Sequence, residues 1–197
     1  MTLLVLGLVI FLGMHCFSMA RASRAALIER VGEGAYKGIY SLLSVVGIVL
    51  IAVGYGQYRA GGYIPVWDPP VWTRHLALLL VWVAFVCVAA AYLPGRIKAR
   101  LKHPMLAGVK IWALAHLLAN GDLGSILLFG SILAWAVLAR ISAKRRDEVR
   151  DHAGPAAASA GGRNDILAVA VGTAVYLAFV FWLHPWLIGV PVLPMRA

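Results

Sequence analysis

The sequence predicts an all-α integral membrane protein, a bundle of six transmembrane helices in one domain. Three observations predict it. First, the 197 residues are 62% hydrophobic and only 13% charged, well outside the composition of a soluble domain. Second, the apolar residues come in unbroken blocks. No charge occurs at 2–20, 38–58, 75–95, 123–139 or 166–195, and 104–120 is interrupted by Lys110 alone. A helix needs about 20 such residues to cross a bilayer. Third, 14 of the 18 Lys and Arg fall in alternate loops (20–38, 95–103 and 140–165), with Arg59, Arg74 and Arg196 on the other side. Basic loops stay in the cytoplasm, so both termini are expected outside. The net charge of +10 is then a topology signal. It points to membrane lipid as a partner and not to nucleic acid.

The first helix is expected at 2–19. Arg21 and Arg24 follow its apolar run, the reverse of a cleaved signal peptide, so the helix is expected to be retained. Ala22 to Val31 suits a short interfacial helix ending at Gly32-Glu33-Gly34. The second helix, 38–58, carries Ser41, Ser44 and Gly47 at i, i+3, i+6, a stripe small enough for close helix packing. Prolines 65, 69 and 70 break the loop 59–74, and Trp67 and Trp72 suit the interfacial aromatic belt. The third helix, 75–93, closes at Pro94-Gly95. The fourth, 104–120, opens with Pro104 in its first turn. Asn120-Gly121-Asp122 is a tight turn that makes an antiparallel hairpin with the fifth helix, 123–141. Residues 143–165 read as a flexible cytoplasmic linker rich in Gly, Ala and Ser. Asn164-Asp165 is expected to cap the sixth helix, 166–188. Cys16 and Cys87 lie within spans and are expected to pack as small apolar residues without a disulfide.

The chemistry rests on histidine. His152 falls in the linker, His75 and His184 near helix ends, and His103 at the mouth of the fourth helix, where it caps that helix or meets a lipid phosphate. His15 and His116 lie well inside their spans, where an imidazole is costly unless it has a partner, a cavity or a metal. A neighbouring helix could supply that partner; metal or haem ligation is the functional alternative. Zinc sites usually add Cys or carboxylate, and the acids here are all in loops, so haem suits the pair better. His103 and His116 are about 20 Å apart along one helix and about 140° apart around it, which excludes them as ligands of one iron. His103 is a secondary candidate only. On the expected topology His15 and His116 differ in depth by about 10 Å. Lys110 either snorkels to the headgroups or pairs with a haem propionate or an anionic substrate.

The run His103-Pro104-Met105-Leu106-Ala107-Gly108-Val109-Lys110-Ile111-Trp112-Ala113-Leu114-Ala115-His116 resembles the signature of the NnrU family. Gly32 to Lys37, Tyr40, Ser44 and Leu127 to Ser131 support it, over about residues 1–140. The family comprises bacterial inner-membrane proteins associated with nitrite and nitric oxide reduction, and it is similar to the plant 15-cis-zeta-carotene isomerase, which binds haem b. The resemblance implies a haem b here with His15 and His116 as axial ligands; Lys110 and Trp112 are candidate haem-pocket residues. The isomerase has a cysteine where this chain has Ala113, so a thiolate ligand is not carried over. The expected function is support of denitrification, together with a redox partner. The alternatives are a haem-dependent cis-trans isomerase of a membrane polyene, with a lipophilic small-molecule substrate, and a haem-free scaffold or transporter. A transporter would be expected to show more intramembrane charge than Lys110 and a repeated half.

Overall fold

The computed structural model describes residues 1–151 and 162–193. Every regular element among them is helical: α1 Thr2–Phe17, α2 Arg21–Val31, α3 Glu33–Ala60, α4 Val71–Tyr92, α5 Arg96–Leu101, α6 Pro104–Ala119, α7 Leu123–Asp151, α8 Arg163–Ala178 and α9 His184–Ile188, with a π-helical turn Phe179–Leu183 joining the last two. The helices pack as a chain of neighbours, α3 on α1, α1 on α7, α7 on α6, α6 on α4 and α4 on α8.

Four helices are long and apolar enough to cross a membrane, or five if α1 and α2, bent by 91°, count as one broken span. Pro104–Ala119 is a shorter apolar helix, and a count of exactly six spans is not confirmed. At a rise of about 1.5 Å per residue, the 16-residue helices α1 and α6 extend only about 24 Å, less than the ~30 Å hydrocarbon core. Many apolar side chains point away from the protein, Leu42 at 64% and Ile166 at 73% exposure among them. In a soluble protein such faces would be aggregation sites; against lipid they are solvated.

Several boundaries differ from expectation. The fifth apolar helix continues from 141 to Asp151, so 143–151 of the expected linker is helical; 152–161, with His152, lies outside the described residues. Good helix formers, Lys, Arg and Glu, carry α7 onward. Asn164 and Asp165 lie in the first turn of α8, after an N-cap at Gly162. Their side chains tie α8 to the α4–α5 junction instead: Asn164 Nδ2 donates to Pro94 O at 2.6 Å, and Ile97 N donates to Asp165 Oδ1 at 3.0 Å. Of Gly32-Glu33-Gly34, only Gly32 is non-helical, at φ +82°.

The close-packing stripe on α3 also shifts. Gly47 lies against the backbone of Phe11, and Gly54 against that of Leu3 and Leu4, so near that a Cβ on either would clash. Ser41 is exposed. The seam α1–α3 is thus a glycine seam with a seven-residue step, which lets the two backbones approach as small-residue motifs do.

At the other end, the loop between α3 and α4 clasps the α6–α7 turn. Val66 N and Trp67 N donate to Gly121 O, and Leu123 N donates to Ile64 O. Asp122 caps α7, accepting from Ser125 N at 2.9 Å and Ser125 Oγ at 2.6 Å. The apolar core of Leu4, Leu8, Ala113, Leu128 and Phe129 joins α1, α6 and α7. It fixes the platform on which the two intramembrane histidines stand.

Candidate functional site

His15 lies near the end of α1, and its Nδ1 is 2.7 Å from the carbonyl oxygen of Phe11. A carbonyl can only accept, so Nδ1–H is the donor and the neutral ring keeps its lone pair on Nε2. Three helices wall the ring. The Phe11 ring is 4.1 Å away, Tyr40 of α3 is 5.3 Å away, and Trp135 of α7 stands edge-on at 5.3 Å. Trp135 Nε1 is buried and has no hydrogen-bond partner among the described residues. An indole N–H can only donate, and leaving it buried without an acceptor costs about 1–3 kcal/mol. Tyr40 also lines a cavity of about 210 Å³, together with Ser18, Arg24, Tyr36, Lys37 and Ser41.

His116 repeats the device on α6. Its Nδ1 is 2.8 Å from Trp112 O, again placing the proton on Nδ1 and the lone pair on Nε2. The ring stacks on Phe129 of α7 at 4.5 Å and 29°, and the Trp112 ring is 4.8 Å away. Asn120 Nδ2 donates to His116 O at 2.8 Å, holding the end of α6. This arrangement of a neutral imidazole, its inner nitrogen fixed to a carbonyl and its outer nitrogen bare, is what a metal-ligating histidine requires.

Both rings stand on α7, through residues six positions apart. Trp135 and Phe129 differ by about 9 Å along the α7 axis and by about 120° around it. The structure records ring contacts from each histidine to α7 and none between the two among the described residues.

The other expected residues fall as follows. Trp112 belongs to the His116 site through both its ring and its carbonyl. Lys110 is half-buried and has no hydrogen bond or ion pair among the described residues. His103 occupies the N-cap position of α6 without a side-chain cap. The expectation that its side chain caps α6 is corrected: its Nε2 lies 2.7 Å from Asp147 Oδ2 on α7, since the hairpin brings a carboxylate within reach. His184, just after the π-helical turn, has Nδ1 2.8 Å from Val190 O, a carbonyl six residues later instead of one turn before it. The residues that sequence reasoning missed are Phe11, Tyr40, Phe129 and Trp135. One signal was available for part of this: both histidines follow an aromatic residue by four positions, Phe11 before His15 and Trp112 before His116, one helical turn away on the same face.

Fold and site together define an all-helical membrane protein in which His15 and His116 each have Nδ1 held by the carbonyl four residues earlier. The chain belongs to the NnrU family, whose model, described as NnrU protein, matches residues 3–192. That match extends past the motif region to the linker and the last helices. No curated protein and no solved structure matches the chain. The expected similarity to the plant isomerase is therefore not shown.

Proposed function

We propose that this NnrU-family protein is a multi-pass inner-membrane protein that binds haem b through His15 and His116 and supports nitrite and nitric oxide reduction. The observation that carries the reading is the shared lock: Phe11 O and Trp112 O each hold an Nδ1–H and leave Nε2 as the donor atom. The buried, acceptor-seeking N–H of Trp135 beside His15 adds to the fit, because a porphyrin with carboxylate side groups brings acceptors into an apolar site. A bound haem would supply reversible one-electron chemistry, with its potential set by axial ligation and burial.

The residues of this chain do the holding. Phe11 and Trp112 fix each imidazole's tautomer and ring plane, and Phe129, Tyr40 and Trp135 wall the rings from lipid and water. In this reading the basic loops face the cytoplasm and the Trp67–Trp72 segment faces the periplasm, as the charge asymmetry requires.

The purified protein is expected to be coloured, with a Soret band that shifts on reduction by dithionite. His15→Ala and His116→Ala each diminish that band. Full haem loading in both variants would sink the assignment. Conversion of a cis-polyene by the reduced protein would move the function to an isomerase, and a colourless, folded protein would leave a scaffold.

A further inference from the structure

We propose that Lys110 and Arg140 form a notch on the α6–α7 seam that holds the phosphate of an anionic phospholipid. The argument begins with the register of the hairpin. His103 meets Asp147 near one end, and His116 meets Phe129 near the other. Between these fixed points, Lys110 falls opposite the turn 137–140 of α7. Arg140 is half-buried in that turn, and its Nη1 is buried with no hydrogen-bond partner among the described residues.

Two cations therefore share one level of an otherwise apolar helix seam, and neither has an anion bonded to it among the described residues. Asp147, the acid nearest in sequence on α7 whose side chain is described, has one oxygen 2.7 Å from His103. It influences Arg140 only from a distance. Like charges in a poorly solvated seam repel, and a guanidinium N–H without an acceptor costs free energy. A single phosphate between them would satisfy both, since guanidinium forks match its oxygens and an ammonium adds a point charge.

The surroundings select a lipid as the source of that phosphate. Leu114 stands one turn beyond Lys110 on the same face of α6, exposed at 43%. Val137 and Ile141 flank Arg140 on α7, exposed at 43% and 46%. An acyl chain can lie along these three side chains while its headgroup reaches the two cations. The notch also lies toward the end of the bundle that carries Arg96, Lys98, Arg100 and Lys102, where anionic lipid is attracted.

The test uses the full chain purified in a neutral detergent. Native mass spectrometry and thermal unfolding are followed with added phosphatidylglycerol, phosphatidylcholine or inorganic phosphate. Phosphatidylglycerol is expected to be retained and to stabilise the wild type well beyond phosphatidylcholine. Arg140→Gln and Lys110→Met are each expected to weaken phosphatidylglycerol binding about fivefold, the double variant about 25-fold. Arg140→Lys keeps most of the affinity and serves where a neutral variant fails to fold. Lys110→Met also relieves the repulsion, so in lipid-free detergent it unfolds at a higher temperature than the wild type. The control Arg21→Gln, on exposed α2, leaves binding unchanged. Equal binding by wild type and variants overturns the proposal, as does an equal loss in Arg21→Gln. Stabilisation by inorganic phosphate as large as that by phosphatidylglycerol overturns the lipid source. Loss of Soret absorbance with lipid preference intact assigns the pair to a cofactor carboxylate instead.

Discussion

The His15 and His116 sites use the same local bond and each meets an aromatic ring of α7, but they differ in how many helices build them. His116 is held by one hairpin: its carbonyl partner and one ring neighbour are on α6, and its stacking partner Phe129 lies just across the turn on α7. His15 depends on three helices distant in sequence, with Tyr40 and Trp135 contributed by α3 and α7. One site is built by local contacts and the other by assembly. A change that disturbs helix packing should therefore reach His15 first, whereas a change at the α6–α7 turn should reach His116.

The largest expected effect breaks the assembled site. Gly47 lies against Phe11, the residue whose carbonyl and ring hold His15. Gly47→Leu forces α1 away from α3 and should cost about 1–3 kcal/mol by overpacking, read as a lowered unfolding temperature. Its visible spectrum should come to resemble that of His15→Ala. A spectrum resembling His116→Ala would break the comparison.

Asp122→Ala addresses the local site. Losing the α7 cap should cost about 1 kcal/mol and loosen Phe129 against His116, with the His15 contribution retained. Hydrogen exchange at the start of α7 would report it, and unchanged protection there would count against the assignment of Asp122 as cap.

The smallest effect belongs to the other end of the hairpin. The His103–Asp147 pair is about one quarter exposed on each side, and such pairs contribute about 0–1 kcal/mol. His103→Gln should therefore lower stability slightly and leave haem absorbance untouched. A clear loss of absorbance would return His103 to the list of ligands.

Much of this was legible in the sequence. The apolar blocks located the long helices because a span must satisfy its backbone hydrogen bonds within itself. His15 and His116 were found by their position in those blocks; the helical period places the Phe11 and Trp112 carbonyls one turn before them, and only the structure shows each ring bonded there. The site walls were not legible. Helices immersed in lipid are apolar on every side, so hydrophobic periodicity does not show which face meets a neighbour. The small-residue stripe was expected on Ser41, Ser44 and Gly47; Gly47 does face α1, but the seam runs on to Gly54 and leaves Ser41 exposed.

The sequence by itself determined an all-helical membrane chain of the NnrU family and the two histidines within its apolar blocks, and the structure added the tautomer of each. Tertiary structure alone decided that α1 and α6 are too short to count as plain spans. It also decided that Trp135 and Phe129 wall the two histidines, that Asp147 takes His103, and that Arg140 Nη1 is buried with no hydrogen-bond partner among the described residues. The division has one physical cause. Bonds within a helix follow from a fixed repeat of about 3.6 residues, whereas contacts between helices depend on glycine seams and hairpin register that only the packed bundle fixes.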